Sequence, residues 1–217
     1  MLADQPDGRA PFDGILFVDD DIAFRPEDAA RIVSHGLPVV AGVGQKRAQH
    51  MGSPPELNAV IDQNAPMDAR TGVIRNRLVP SCFLWIHRSV FEQMLSCEEL
   101  YRSGLVRRFL YHTLSDAAQR WCATYFGYGL AQPRPGGVEA DLAERLQREY
   151  PGDPAFAEPL VDIGEDYDFA IKCEVAGIPL YIDSTIRLVH YDGRVAHDYS
   201  LAQAFEQGVA ETRQAAE

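Results

Sequence analysis

A chain of 217 residues that is 46% hydrophobic and 24% charged carries enough apolar material for one domain-sized core, and too much for a disordered chain. Its formal net charge of −12 opposes phosphate backbones, which argues against nucleic acid as a partner. Cys82, Cys97, Cys122 and Cys173 show no C-x-x-C spacing, so separate buried thiols in a reducing compartment are expected rather than a metal knuckle or a disulfide scaffold.

Residues 1–11 are polar and lack an apolar signal-peptide core, and no apolar run approaches the length of a transmembrane segment, so the expected location is cytoplasmic. Ile15, Leu16, Phe17 and Val18 read as a fully buried strand, continuously apolar and ending in a polar cluster. Pro26 opens a helix with Glu27 and Asp28 in its first turn, running to about residues 35–36. Residues 37–43 form a second buried strand, and the strand–helix–strand order predicts a parallel α/β sheet. Residues 44–68, rich in Pro, Gly, Asn and Gln, read as a long loop. Residues 73–86 are extended, with room for two strands around Pro80, and residues 88–95 are helical. Residues 98–124 are expected to be helical in pieces, broken at Gly104. A Gly/Pro loop over 127–137 and a surface helix over 138–150, with Glu144 and Arg148 four apart, follow. A loop over 151–164 leads into a helix over 165–176 that Gly177 stops. Short strands are expected at 180–183 and 185–190, and a polar amphipathic helix from about Leu201.

Two acidic constellations stand out. Asp19, Asp20 and Asp21 follow the first strand directly, at the carboxyl end where open α/β sheets bind ligands. Asp19 and Asp21 are two residues apart, which in extended chain puts them on one side, so both can share a hard divalent cation. The competing reading is a turn and helix cap. The second constellation lies in residues 149–171, which hold seven acidic residues and no Lys or Arg. If a helix starts near Glu165, Asp166 shares the face of Phe169, Cys173 and Ala176, whereas Asp168 and Lys172 fall on a more exposed face. An inward carboxylate at a helix N-terminus is either a cap or a functional acid, and the helix-end field favours its ionised form. His190 ends an apolar stretch before a turn, as Asp19 does, and His beside two Asp suits Mn²⁺ or Mg²⁺.

In their order along the chain, these residues resemble the GT-A class of glycosyltransferases, in a family-two-like branch. Phe17 to Ile22 looks like the DxD motif of that fold, and Val39 to Gly42 like the strand that follows it. Phe83 to Phe91 looks like its acceptor-side strand and helix, and Gly164 to Phe169, with Gly177, Ile178 and His190, like its GED-x-D-F helix and terminal histidine. The resemblance spans about residues 13–193. It implies a partial GT-A, Rossmann-like mixed sheet flanked by helices, in a single domain over 1–217. Asp19 and Asp21, completed by His190, would hold Mn²⁺ or Mg²⁺ and through it the diphosphate of a UDP- or GDP-sugar. Asp166, or alternatively Glu165, would deprotonate the hydroxyl of a sugar or glycan acceptor. Asp20, Lys46, Arg47 and Trp85 are candidate substrate contacts. For Lys46 and Arg47 a solvated surface pair competes with that role, and for Trp85 a place in the core.

GT-A enzymes place a βαβ unit that grips the nucleotide base before the DxD strand, and residues 1–14 do not provide one. The resemblance therefore implies an N-terminally truncated domain, an open sheet edge, and a partner chain that supplies the unit or a non-catalytic role beside one. D-x-D after a buried strand also occurs in phosphohydrolases of the haloacid dehalogenase type. That motif has Thr or Val two residues past its second Asp, where this chain has Ala23.

Overall fold

The structure, a computed structural model, describes residues 12–46, 56–61, 65–111, 120–127, 129–131, 136–137, 140, 144, 147–148, 161–191, 196–197 and 201. Arg47, most of the expected loop over 151–164 and all but the first residue of the closing helix lie outside these. The chain forms two compact units, one of Ile15–Ile86 with Leu180–Glu217 and the other of Met1–Gly14 with His87–Pro179.

The first unit is built on a five-stranded sheet. Its strands are β1 (Gly14–Val18), β3 (Val39–Gly42), β4 (Val73–Asn76), β5 (Phe83–His87) and β10 (Leu180–Asp183), in the order β1-β5-β3-β10-β4. β3 pairs parallel with β10 and antiparallel with β5, and β4 pairs antiparallel with β10. The sheet is therefore mixed, not parallel, because β5 inserts between the two strands that the strand–helix–strand order would have made neighbours. Val39, Val40 and Ala41 and residues Phe83 to Ile86 are buried, as central strands covered on both faces must be. β1 departs from expectation: Ile15, Phe17 and Val18 are exposed, because β1 stands at the end of the strand order.

Helix α1 (Pro26–Ser34) starts and stops where its sequence signals put it. Pro26 occupies the first turn, Glu27 and Asp28 face the positive helix end, and Gly36 takes a left-handed φ of 63° just past the C-cap. Ile32 and Ala29 join Ile22, Val40, Cys82, Phe83, Trp85, Ile186 and Leu188 in the core. Gly42 is required by close approach, since a Cβ there would sit 2.8 Å from Ile186 Cγ2. A small second sheet orders β12 (Ala196–His197), β11 (Val189–Tyr191) and β2 (Ile22–Ala23). The strand expected over 185–190 thus begins at Val189.

The second unit holds α2 (Arg88–Ser96), α3 (Glu98–Arg102), α4 (Glu165–Val175) and two antiparallel pairs. Gly104, with φ 74°, breaks the chain after α3 as expected, but the described residues that follow form strands at 108–111 and 120–123 rather than helix. β6 (Arg108–Tyr111) pairs with β7 (Arg120–Ala123), aligning Phe109 with Cys122 and Leu110 with Trp121. Aromatic residues favour such cross-strand pairs over a helix face. β8 (Gly129–Ala131) pairs with β9 (Val161–Ile163), so strands also enter the two expected loops. The described positions within 138–150 are helical, and there Arg148 Nε donates to the main-chain carbonyl of Glu144. Among the described residues no helix is long and apolar enough to cross a membrane.

Candidate functional site

The Asp19–Asp21 segment is a tight turn rather than extended chain. The Ile22 amide donates to the Asp19 carbonyl at 3.1 Å, and the Asp19 amide donates to the Cys82 carbonyl at 3.0 Å. The alternation argument for Asp19 and Asp21 on one side therefore does not apply. The turn delivers the chain into β2, which pairs antiparallel with β11 in a register that sets His190 opposite Ile22. The Tyr191 amide continues this ladder onto the Asp21 carbonyl at 2.9 Å. Two segments 169 residues apart are thereby locked side by side, and His190 Nε2 lies 3.2 Å from Asp21 Oδ2.

The partner of the other ring nitrogen decides what this pair can do. His190 Nδ1 lies 2.9 Å from the main-chain carbonyl oxygen of Gln45. A carbonyl only accepts, so Nδ1 carries the hydrogen and donates it. In the neutral ring Nε2 is then a bare lone pair aimed at a carboxylate oxygen. Two acceptors at that separation need a proton or a metal cation between them. In metal-binding histidines the nitrogen away from the ion commonly donates to a main-chain carbonyl or a carboxylate, and His190 Nδ1 has such a partner in Gln45. Neighbouring ligand atoms on an octahedral ion with bonds of about 2.1 Å stand about 3 Å apart, close to the separation here. The donor set thus fits a hard or borderline divalent ion. Among the described residues, no three His, Cys, Asp or Glu side chains converge into a ready-made cation site. Asp19 and Asp20 are exposed on the same turn.

The remaining candidates are distributed unequally. Lys46 is exposed and pairs with Glu56 at 3.5 Å. Trp85, 8% exposed, packs in the core of the first unit. Glu165 and Asp166 belong to the second unit, in the first turn of α4. The N-cap of that helix is Gly164, which offers no side chain, so the acidic first turn meets the helix-end field directly. Asp166 is half-buried, with its Oδ1 out of reach of solvent. The more exposed face expected for Asp168 and Lys172 is not found. Phe169, Ala170, Ile171, Lys172 and Cys173 are all buried, so the middle of α4 is enclosed on every side, and Glu174 near its end is exposed. Lys172, 1% exposed, places its ammonium 2.5 Å from Asp168 Oδ2, one turn earlier. Burial pushes the Asp168 carboxyl above its usual range, against the opposing pull of Lys172 and of the Gly127 amide. Phe126 stacks on Phe169 with ring centroids 4.7 Å apart, so the segment around Gly127 is held to the helix by both ring and charge. Burial also pushes the Cys173 thiol up, which leaves it unreactive.

One polar cluster escaped the sequence reading. Asp183 ends β10 with no exposed surface, yet it accepts from Arg31 Nε, His35 Nε2, the Thr185 amide and the Thr185 hydroxyl, all within 2.8 Å. Its only sequence signal was an acidic residue at a strand end followed by Ser184 and Thr185, the pattern that drew attention to Asp19. Comparisons with protein families, with curated proteins and with solved structures found no match to this chain.

Proposed function

We propose that this chain takes part in the divalent-metal-dependent transfer of a sugar from a UDP- or GDP-sugar to an acceptor hydroxyl. The reading rests on the ordered motifs of the sequence, and the observation that carries it is the Asp21–His190 pair with its Gln45 tether. Mg²⁺ and Mn²⁺ sites of this chemistry use one or two protein ligands and leave the other positions to water and substrate phosphates. Asp21 and His190 would be those protein ligands, with Asp19 and Asp20 on the adjoining turn. When bound, the ion supplies Lewis-acid stabilisation of the charge developing on the leaving diphosphate. The Gln45 carbonyl would hold the His190 ring so that Nε2 faces Asp21. The resemblance assigns removal of the acceptor's proton to Asp166, with Glu165 as the alternative base.

The exposed strand β1 favours a second reading, a non-catalytic or split GT-A-type subunit that works beside a partner chain. Calorimetric titration of UDP and GDP with Mn²⁺ tests the first reading. Binding should vanish with EDTA and weaken by about tenfold or more in Asp21→Ala and in His190→Ala, the loss expected for a removed ligand or its support. Nucleotide binding indifferent to metal, or unchanged in both variants, would sink it. Metal-dependent binding without turnover of any UDP- or GDP-sugar would favour the second.

A further inference from the structure

The carbonyl that tethers His190 is itself held, and the hold leads back to Asn58. The Gln45 carbonyl and the Lys46 amide belong to one planar trans peptide, so they point in opposite directions. The Lys46 amide donates to the Glu56 carbonyl at 2.7 Å, which turns the Gln45 carbonyl the other way, to His190 Nδ1 at 2.9 Å. The residue before Gln45 is clamped at both of its main-chain groups. The Gly44 carbonyl accepts from the Asn58 amide at 2.9 Å, and the Gly44 amide donates to Asn58 Oδ1 at 3.0 Å. Gln45 thus faces Leu57 in an isolated antiparallel bridge, and the Asn58 side chain supplies the bond that a further main-chain carbonyl would give in a longer ladder. Gly44 also lies against Leu188, two residues before His190, where an added Cβ would sit 3.4 Å from Leu188 Cβ.

The other end of the same side chain reaches the acidic turn. Because Asn58 Oδ1 accepts from an N–H, Nδ2 is the atom left for Cys82, and it donates to the buried Cys82 sulfur at 2.9 Å. The Cys82 carbonyl in turn accepts from the Asp19 amide at 3.0 Å, at the start of the turn that carries Asp21. One half-buried asparagine therefore bonds to the supports of both Asp21 and His190. Sulfur is a weak acceptor, so the Gly44 arm is the stronger of the two. We propose that Asn58 is the positioning residue of the Asp21–His190 pair, fixing the Gln45 carbonyl and with it the orientation of the His190 ring. Its effect on the ring stands on the geometry alone, whereas its effect on metal affinity rests on the function proposed above.

Long-range proton–nitrogen NMR of the metal-free full chain, at about pH 9 where an ordinary imidazole is neutral, reads which ring nitrogen of His190 carries the hydrogen. The unaltered chain should carry it on Nδ1. Asn58→Ala should give a mixture of both tautomers. Asn58→Asp keeps an oxygen for the Gly44 amide and gives up only the weak sulfur contact, so it should restore the Nδ1 form. Asn76→Ala removes another asparagine of the same unit, whose Nδ2 donates to the Val60 and Leu78 carbonyls. It should lower the unfolding midpoint and leave the tautomer unchanged. A hydrogen on Nε2 in the unaltered chain, an Nδ1 form kept in Asn58→Ala, its loss in Asn58→Asp as complete as in Asn58→Ala, or an equal disturbance in Asn76→Ala overturns the proposal. If Asn58→Ala fails to fold, amide exchange in the unaltered chain decides. Gly44 should exchange as slowly as Lys46, and exchange at the rate of an exposed peptide overturns the clamp. Mn²⁺ titration is read separately. Affinity should fall by about threefold or more in Asn58→Ala, less than the tenfold expected for a direct support of a ligand. An unaltered chain that binds no Mn²⁺ overturns the proposed function and not the role of Asn58, which the tautomer decides.

Discussion

Asp183 shows how a buried charge is kept. Its Oδ2 accepts from Arg31 Nε and His35 Nε2, each at 2.7 Å, and its Oδ1 accepts from the Thr185 amide at 2.8 Å and hydroxyl at 2.7 Å. Burial alone would raise the carboxyl, but the bonds from Thr185, His35 and Arg31 outweigh it and hold Asp183 below the usual carboxylate range. Arg31 also ties the Thr71 carbonyl at 2.5 Å, so the cluster joins α1, β10 and the turn before β4. Asp183→Asn keeps the shape but removes the charge and turns an amide NH₂ toward two donors. It should lower stability by about 3–5 kcal/mol at pH 7, the usual cost of breaking a buried pair. The sign with pH follows from the lowered folded value. The contribution is complete above the unfolded carboxyl value of about 3.9 and disappears as pH falls through the folded one. Urea unfolding of both proteins at pH 7 and pH 3 should therefore show a gap that narrows in acid. A gap that stays constant would detach the cluster's strength from the Asp183 charge.

Helix α4 carries the same logic along an element. Five consecutive buried residues leave no outward face, so Lys172 must be satisfied within the second unit, and Asp168 one turn earlier does so. Lys172→Met should cost about 3 kcal/mol or more by stranding Asp168, whereas Asp168→Asn combined with Lys172→Met should recover much of that, since a neutral pair of similar volume holds no desolvated charge. Chemical denaturation of the two single variants and the double closes the cycle, and additive losses would mean that the pair is not coupled. What the sequence showed of these elements follows the reach of its signals. The ends of α1 and α4 were legible because Pro26, the first-turn acids, Gly36 and Gly177 act locally. The burial of Lys172 was not, because helical periodicity assumes one solvent face and the middle of α4 has none. β3, β5 and β10 announced themselves as apolar runs, but an apolar run specifies a strand without its neighbours, and this is why β1 was expected to be buried. β6 and β7 mix Arg with aromatic residues and show no clean alternation, so pairing across a gap decided their state. The acids and His190 were visible as an ordered set. Their contact depends on the two-residue strand β2, which is too short to leave a periodic trace.

Across the whole chain, the formal charge of −12 sets how any cation acts. Self-repulsion among acidic groups weakens the folded state and is screened by any salt, over a Debye length of about 10 Å at 0.1 M. A rise in stability with Mn²⁺ is therefore ambiguous until ionic strength is matched. The two tryptophans allow a clean reading. Trp85 lies in the core of the unit that holds the Asp21–His190 pair, whereas Trp121 lies in the other unit, so a Trp121→Phe background reports on the relevant unit alone. In that background NaCl should raise the unfolding midpoint modestly, and to a similar degree when His190→Ala is added. MnCl₂ at the same ionic strength should raise it further only where His190 is present. By mass action that gain grows with the logarithm of free metal and reaches about 2.7 kcal/mol at a hundredfold excess over Kd. If His190→Ala keeps the extra gain, the ion is binding elsewhere on the acidic surface, and the Asp21–His190 contact is then held by a proton rather than by a metal.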